Sequence, residues 1–259
     1  MPGSFTDRVL NLDDGYTRFE MVLVPGDPGR DMPPFYISRT EVTWDMFLAW
    51  AWGTYLDDPN ALARLERQGL RPSYIGHGHP QYEYGFTSNG RLPATGLSWQ
   101  TARLYCIWLS ATTGRSYRLP TDSEWDHVFE LAGGMPQTRE ALLARGLFLD
   151  NAKEMDTPPF VHAPREVAHG EPDALGLYDL VGNAAEWVQP MAGRRWVRGG
   201  HYGLPAEDFT AGWRAFEDQN VWNASYPALP ISRHWYIDHI YQGIRLVCEV
   251  ERVDNSQSR

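Results

Sequence analysis

The sequence predicts an α+β fold built from few regular elements and much loop. Three observations lead there. Two helices between residues 98 and 134 carry complete start and stop signals. One strand near the C-terminal end alternates cleanly between apolar and polar residues. Beyond about residue 145 helical periodicity gives way to turns and short strands. At 259 residues the chain is long enough for a substantial core, as one large domain or two small ones. With no repeat and no linker it reads as one domain over 19–251, with a polar arm at 1–18 and a polar tail at 252–259.

Taken in order, Phe19 to Val24 reads as a strand closed by Pro25-Gly26. Thr43 is a helix N-cap, followed by Trp44, Phe47, Leu48 and Ala51 at helical spacing and ended by Gly53. Residues 54–96 read as an insert, with a short helix over Asn60 to Gln68 and a loop over Gly76 to Gly85. Ser98 caps a helix whose Ala102, Tyr105, Cys106 and Leu109 share a face, and Gly114 stops it. Thr121-Asp122-Ser123-Glu124 is a capping box, in which the hydroxyl and the carboxylate satisfy each other's backbone amides. Trp125, Val128, Phe129 and Ala132 form the buried stripe behind it, ended by Gly133-Gly134. In the last strand, Ile244, Leu246, Cys248 and Val250 face one way and Arg245, Val247, Glu249 and Glu251 the other.

The net charge of −10 argues against a nucleic-acid backbone as partner. No apolar run reaches membrane-spanning length, so no transmembrane segment is expected. The start of the chain lacks the basic-then-apolar pattern of a leader, which favours a cytoplasmic protein. Two cysteines make no disulfide framework, and Cys106 and Cys248 both read as buried small hydrophobes.

The densest stretch is Gly176 to Val188, GLYDLVGNAAEWV, where turn glycines, two carboxylates and aromatic anchors share thirteen positions. It resembles the signature of the formylglycine-generating enzyme (sulfatase-modifying factor) family. Four further segments resemble that family in the same order: Phe35 to Thr43, Tyr117 to Trp125, Arg198-Gly199-Gly200 and Gly243-Ile244-Arg245. The resemblance covers roughly residues 20 to 250 and implies that family's single α+β domain, related to C-type lectin folds. It also implies a structural calcium ion, held by side-chain oxygens of Asp179 and Glu186 and backbone carbonyls of Gly182 and Ala184. A second family calcium site would involve Asn151 and Ala152, but its other ligands find no match.

The enzymes of that family hold copper(I) with a thiol pair shortly after the Arg-Gly-Gly element, since soft thiolates select that ion. Here residues 201–209 contain no cysteine. No copper is therefore expected, and formylglycine-generating activity is not expected either. The sulfoxide-forming branch uses an iron site supplied largely by an added helical domain; this sequence shows no His-x3-His-x-Glu pattern, so that branch is not expected. A branch resembling pyoverdine-maturation oxidoreductases needs no thiol pair and stays open as an enzyme reading. The preferred reading is a non-catalytic binding or scaffold protein that holds a protein partner, as a subunit of a larger assembly.

The expected binding face is the aromatic and arginine-rich last third: Trp213, Arg214, Trp222, Tyr226, Arg233, Trp235, Tyr236 and Arg245. Trp, Tyr and Arg are the residues enriched where interfaces bind most tightly, but loop-rich folds also use aromatics as internal struts, so the Trp residues are expected mostly buried and some Tyr and Arg exposed. His77 with His79, and His234 with Asp238 and His239, are weaker metal candidates for which packing is the simpler reading.

Overall fold

A computed structural model describes residues 3–10, 15–52, 85–155, 162–225 and 234–250. Its strands are β1 (Ser4–Leu10), β2 (Tyr16–Val24), β3 (Phe35–Ser38), β4 (Tyr117–Arg118), β5 (Lys153–Glu154), β6 (His162–Ala163), β7 (Ala185–Trp187), β8 (Trp196–Arg198), β9 (Ala215–Phe216), β10 (Gln242–Gly243) and β11 (Val247–Glu249). Its helices are α1 (Trp44–Trp52), α2 (Trp99–Thr113), α3 (Asp122–Leu131), α4 (Arg139–Arg145) and α5 (Gln219–Trp222). The chain is thus α+β, with short elements and long connections, as its sequence predicts.

An antiparallel five-stranded sheet runs in the order β1-β2-β3-β11-β4. It lies between two hydrophobic clusters, and the period of two along its strands sorts side chains between them. Phe19 and Met21 of β2 enter one cluster; Val22 and Val24 enter the other. Near the C-terminal end, Ile244, Leu246 and Cys248 face the first cluster while Val247 faces the second. The predicted alternation is real, but up to Cys248 both faces are buried. The hydrogen-bonded ladder also shrinks to Val247–Glu249.

The first cluster is roofed by α1 and α2, where Phe47 meets Tyr105 at 5.5 Å and the Tyr105 hydroxyl donates to the Met46 carbonyl at 3.1 Å. The second lies under α3, where Trp125 stacks on Phe129 at 5.3 Å. Both long helices end as their caps dictate. The Ser98 hydroxyl accepts the Thr101 amide at 3.2 Å, and Gly114 adopts φ +74 at the other end of α2. Thr121 and Glu124 close the capping box at 3.1 and 2.8 Å. A second sheet, β10-β7-β8-β9, holds the Gly176–Val188 signature and the Arg-Gly-Gly element on neighbouring strands.

Two expectations change. Ser4–Leu10 is not a free arm, because β1 pairs with β2 from Ser4↔Val22 to Leu10↔Tyr16. An edge strand buries one face only, so half its residues are polar and the stretch looks unstructured in sequence. Val9 enters the first cluster, and Phe5 meets Tyr36 edge-on at 4.8 Å. Helix α4 has no forecast in the sequence reading; it is short and starts with its own cap, Thr138 accepting from Ala141 at 3.1 Å. The insert's helix over Asn60 to Gln68, most of the loop over Gly76 to Gly85, and the 252–259 tail lie outside the described residues.

Candidate functional site

Where the two sheets meet, the signature folds around a buried guanidinium. Gly182 makes the turn at φ +72 because a Cβ there would meet the Leu147 carbonyl oxygen at 2.5 Å. The chain then delivers Glu186 on β7 to Arg245, and both side chains are 0% exposed. Arg245 Nε donates to Glu186 Oε1 at 2.6 Å, and its two Nη groups donate to the carbonyls of Ser38 and Tyr178 at 2.9 and 2.8 Å. The Trp125 indole N–H fills Glu186 Oε2 at 2.9 Å. Burial opposes the charge on Arg245, but Glu186 and Glu41 outweigh it and hold the guanidinium protonated.

Beside this pair stand two further buried acids. Asp179 accepts from Arg165 Nη2 at 2.9 Å and from the Ala168 amide at 3.0 Å. Glu41 Oε1 accepts from Asn183 Nδ2 at 3.0 Å and from the Ala184 amide at 3.3 Å, whereas Oε2 has no partner among the described residues. Three carboxylates thus face two guanidiniums. Burial pushes the Glu41 carboxyl well above its ordinary range, and Asp179 and Glu186 push it further.

This arrangement decides how well calcium fits. The expected ligands Asp179, Gly182, Ala184 and Glu186 do lie on one turn and strand. Yet each expected carboxylate is already engaged: Glu186 by Arg245 and Trp125, Asp179 by Arg165 and a backbone amide. A divalent cation would have to enter beside two fixed guanidiniums, and like charges at that range repel strongly. The donor set as arranged does not fit the ion. Asn151 is likewise spent, its Oδ1 accepting from the Phe148 amide at 2.7 Å. Among the described residues, no group of three or more His, Cys, Asp or Glu is placed to hold a metal.

A second guanidinium network reaches the surface. Arg198, also 0% exposed, spans from Asp122 at 2.7 Å to Asp126 and lies over the Trp125 ring at 4.3 Å. Asp122 also accepts from the Trp196 indole at 2.8 Å and from Arg214 at 2.6 Å. Burial alone would raise the Asp122 carboxyl, but the hydrogen bonds from Arg214, Trp196 and Arg198 prevail and lower it to about 2.

The family model described as Sulfatase-modifying factor enzyme 1-like domain matches residues 17–248. The chain belongs to this family. A bovine (Bos taurus) relative, "Inactive C-alpha-formylglycine-generating enzyme 2", is 33% identical over 115 residues, 40% of this chain and 35% of that protein. "Serine/threonine-protein kinase Pkn1" of Chlamydia trachomatis is 27% identical over 165 residues, 61% of this chain and 23% of that protein. The chain spans about a third or less of the length of these curated relatives. Among solved structures, "Treponema denticola variable protein 1" shares the fold with a TM-score of 0.60 at 17% identity, over 96% of this chain and 100% of that one.

After Arg198-Gly199-Gly200 the chain places a buried imidazole, His201, among rings from distant segments. His201 stacks on Tyr241 at 4.1 Å, and His239 stacks on Trp222 at 4.1 Å, the two imidazoles 5.6 Å apart. The Gly203 amide donates to His201 Nδ1 at 3.1 Å, and His239 Nδ1 pairs with Gln242 Oε1 at 2.8 Å. Burial pulls both imidazoles below their ordinary value, so both stay neutral. Cys106 and Cys248 are free thiols inside the first cluster, and burial pushes Cys106 up to about 12. A thiol held that high supplies almost no thiolate for chemistry or metal binding.

The expected binding face is only partly a face. Trp222, Trp235, Tyr236 and Arg245 are buried struts. Such rings close gaps between loops where regular elements are short. Trp213 and Arg214 are half-buried, and Tyr226 and Arg233 lie outside the described residues. His234 meets Thr101, Asp238 holds Ser225, and His239 stacks on Trp222, so these three form no cluster; His77 and His79 are outside the described residues. Sequence reasoning noted Asp122 only as part of a capping box and Glu41 only inside the Phe35–Thr43 segment, and gave Arg165 and His201 no role. Only His201 carried a signal, a bulky imidazole directly after two glycines of positive φ.

Proposed function

We propose that this chain is a non-catalytic binding or scaffold protein, using its sulfatase-modifying-factor domain to hold a protein partner within a larger assembly. One observation carries the reading: His201, directly after the Arg-Gly-Gly element, is buried and stacked on Tyr241, while both thiols are buried elsewhere. The relative named as inactive supports it. So does the kinase, in which a segment alignable with this chain is a minor part of a longer protein. The contact surface proposed is the rim of Trp213 and Arg214 together with Phe216, 44% exposed and covered by the Arg194 guanidinium at 4.1 Å. An exposed aromatic under an arginine is a typical anchor of a tight interface. The proposal includes a cytoplasmic setting, since two unpaired buried thiols suit a reducing compartment.

Native mass spectrometry of the tagged chain from its own source tests this. A protein partner at whole-number stoichiometry is expected, and Phe216→Glu is expected to weaken it by about tenfold or more. A free monomer that oxidises a cysteine peptide with copper(I) and oxygen would overturn the proposal. A free monomer turning over without copper would favour the alternative, an oxidoreductase independent of the thiol pair.

A further inference from the structure

A cavity of about 350 Å³ opens on the outer side of α2, away from the histidines. Helical spacing builds one wall, since Trp99, Arg103 and Ile107 stand four residues apart on one face. Leu119, Gln189 and Pro190 build the other. The walls are fixed. The Trp99 indole N–H donates to the Val188 carbonyl at 3.1 Å, and Gln189 Nε2 donates to the Leu119 carbonyl at 3.0 Å. Arg118, at the cavity's edge, is spent on Glu124 at 2.7 Å and Glu249 at 3.3 Å. Ile107 is 49% exposed and adds apolar surface to the cavity wall.

Arg103 differs from its neighbours. Arg118, Arg195, Arg198 and Arg214 each hold an acid, whereas Arg103 has no ion-pair or hydrogen-bond partner among the described residues. A rigid, largely apolar cavity of this size with a single unspent cation is the arrangement of a small-molecule site. The guanidinium fork matches a carboxylate in a bidentate grip. A single fork leaves the second charge of a phosphate dianion unmatched. We infer that this cavity binds a small amphipathic carboxylate, its head on Arg103 and its apolar tail along Trp99, Ile107 and Leu119.

The inference does not depend on the protein-partner reading. Its test is a calorimetric titration of the whole chain with straight-chain carboxylates of about six to twelve carbons, with the alcohols of equal length as neutral controls. At least one acid is expected to saturate below about 1 mM, and its alcohol to bind about fivefold to tenfold more weakly. Arg103→Gln is expected to bring the acid down to the level of the alcohol. Ile107→Asp is expected to abolish both, and Lys153→Gln, at an exposed position outside both sites, to change neither. Thermal melts confirm that each variant is folded; Arg103 and Ile107 are exposed positions on a capped helix, so folding is expected to survive. The inference is overturned if no acid saturates below that concentration, if acid and alcohol bind alike, or if Arg103→Gln leaves the acid's affinity unchanged.

Discussion

Arg245 and Arg198 are both buried guanidiniums on the second sheet's side of the molecule, yet they do different work. Every group around Arg245 is interior: Glu186 is 0% exposed, and two backbone carbonyls complete its shell. Arg198 is equally buried, but Asp126 is 41% exposed and Asp122 is shared with the half-buried Arg214. The first network welds the signature to the five-stranded sheet and never meets water. The second carries charge outward to the rim where partner contact is proposed. Exposure of the partner, not of the arginine, separates a structural pair from an adaptable one.

The largest effect is expected at the interior network. Arg245→Met leaves Glu186, Glu41 and Asp179 buried with one guanidinium fewer, a loss of about 3–5 kcal/mol by urea denaturation. Such a loss is a large part of a domain's whole stability, so a low yield of folded protein is also expected. Arg198→Met is expected to cost less, about 1–3 kcal/mol, because water can take over solvation of Asp122 and Asp126. Equal losses at the two sites would break the comparison.

Glu41 sharpens it through pH. Its folded pKa lies above the ordinary value of 4.5 because of burial, with Asp179 and Glu186 adding to it. The folded state then holds a proton that the unfolded state releases. This stabilisation is complete below the unfolded value and drains as pH climbs from there through the folded value. Glu41→Gln keeps the Oε1 acceptor role and removes the titration. The variant is expected to match the parent in acid and to gain stability over it progressively as pH rises above 4.5. Melting curves at several pH values check this; a parent whose stability does not fall with rising pH in a way the variant abolishes would show that Glu41 titrates normally.

How much of this was legible depends on distance along the chain. The helices were readable because a cap and its amide lie three residues apart, as with Thr121 and Glu124. The alternation after Gly243 was readable too, since period two is local. Glu186 and Arg245 were both singled out, Glu186 as a calcium ligand and Arg245 as either a site residue or the partner of an internal carboxylate, but that they meet each other was not legible, because the bond between them spans 59 residues. Glu41 gave no signal of its own. A lone acid between Thr40 and Val42 looks like any exposed strand residue, and its partner Asn183 is 142 residues away. In the aromatic last third the expected burial of most tryptophans holds for Trp222 and Trp235, because a loop-rich fold uses large rings as internal struts.

Arg214→Ala probes the outer network most gently. Arg214 is 27% exposed and meets Asp122, which keeps Arg198 and Trp196. The expected loss is at most about 1 kcal/mol, shrinking as salt is added. The interior pair is expected to show no such salt dependence.

Calcium is the smallest expected effect and the most pointed test. With Arg245 and Arg165 as resident cations, neither added calcium nor a chelator is expected to shift the melting temperature. Arg165→Gln is then the informative variant. It frees Asp179, whose bonds from Arg165 Nε and Nη2 are lost, and leaves an uncompensated carboxylate beside Glu41. If the guanidinium stands where an ion would otherwise be needed, this variant melts lower than the parent and calcium recovers part of the difference. A parent that melts lower in chelator would mean the opposite: an ion already shares the site, and the interior network is metal-linked rather than closed.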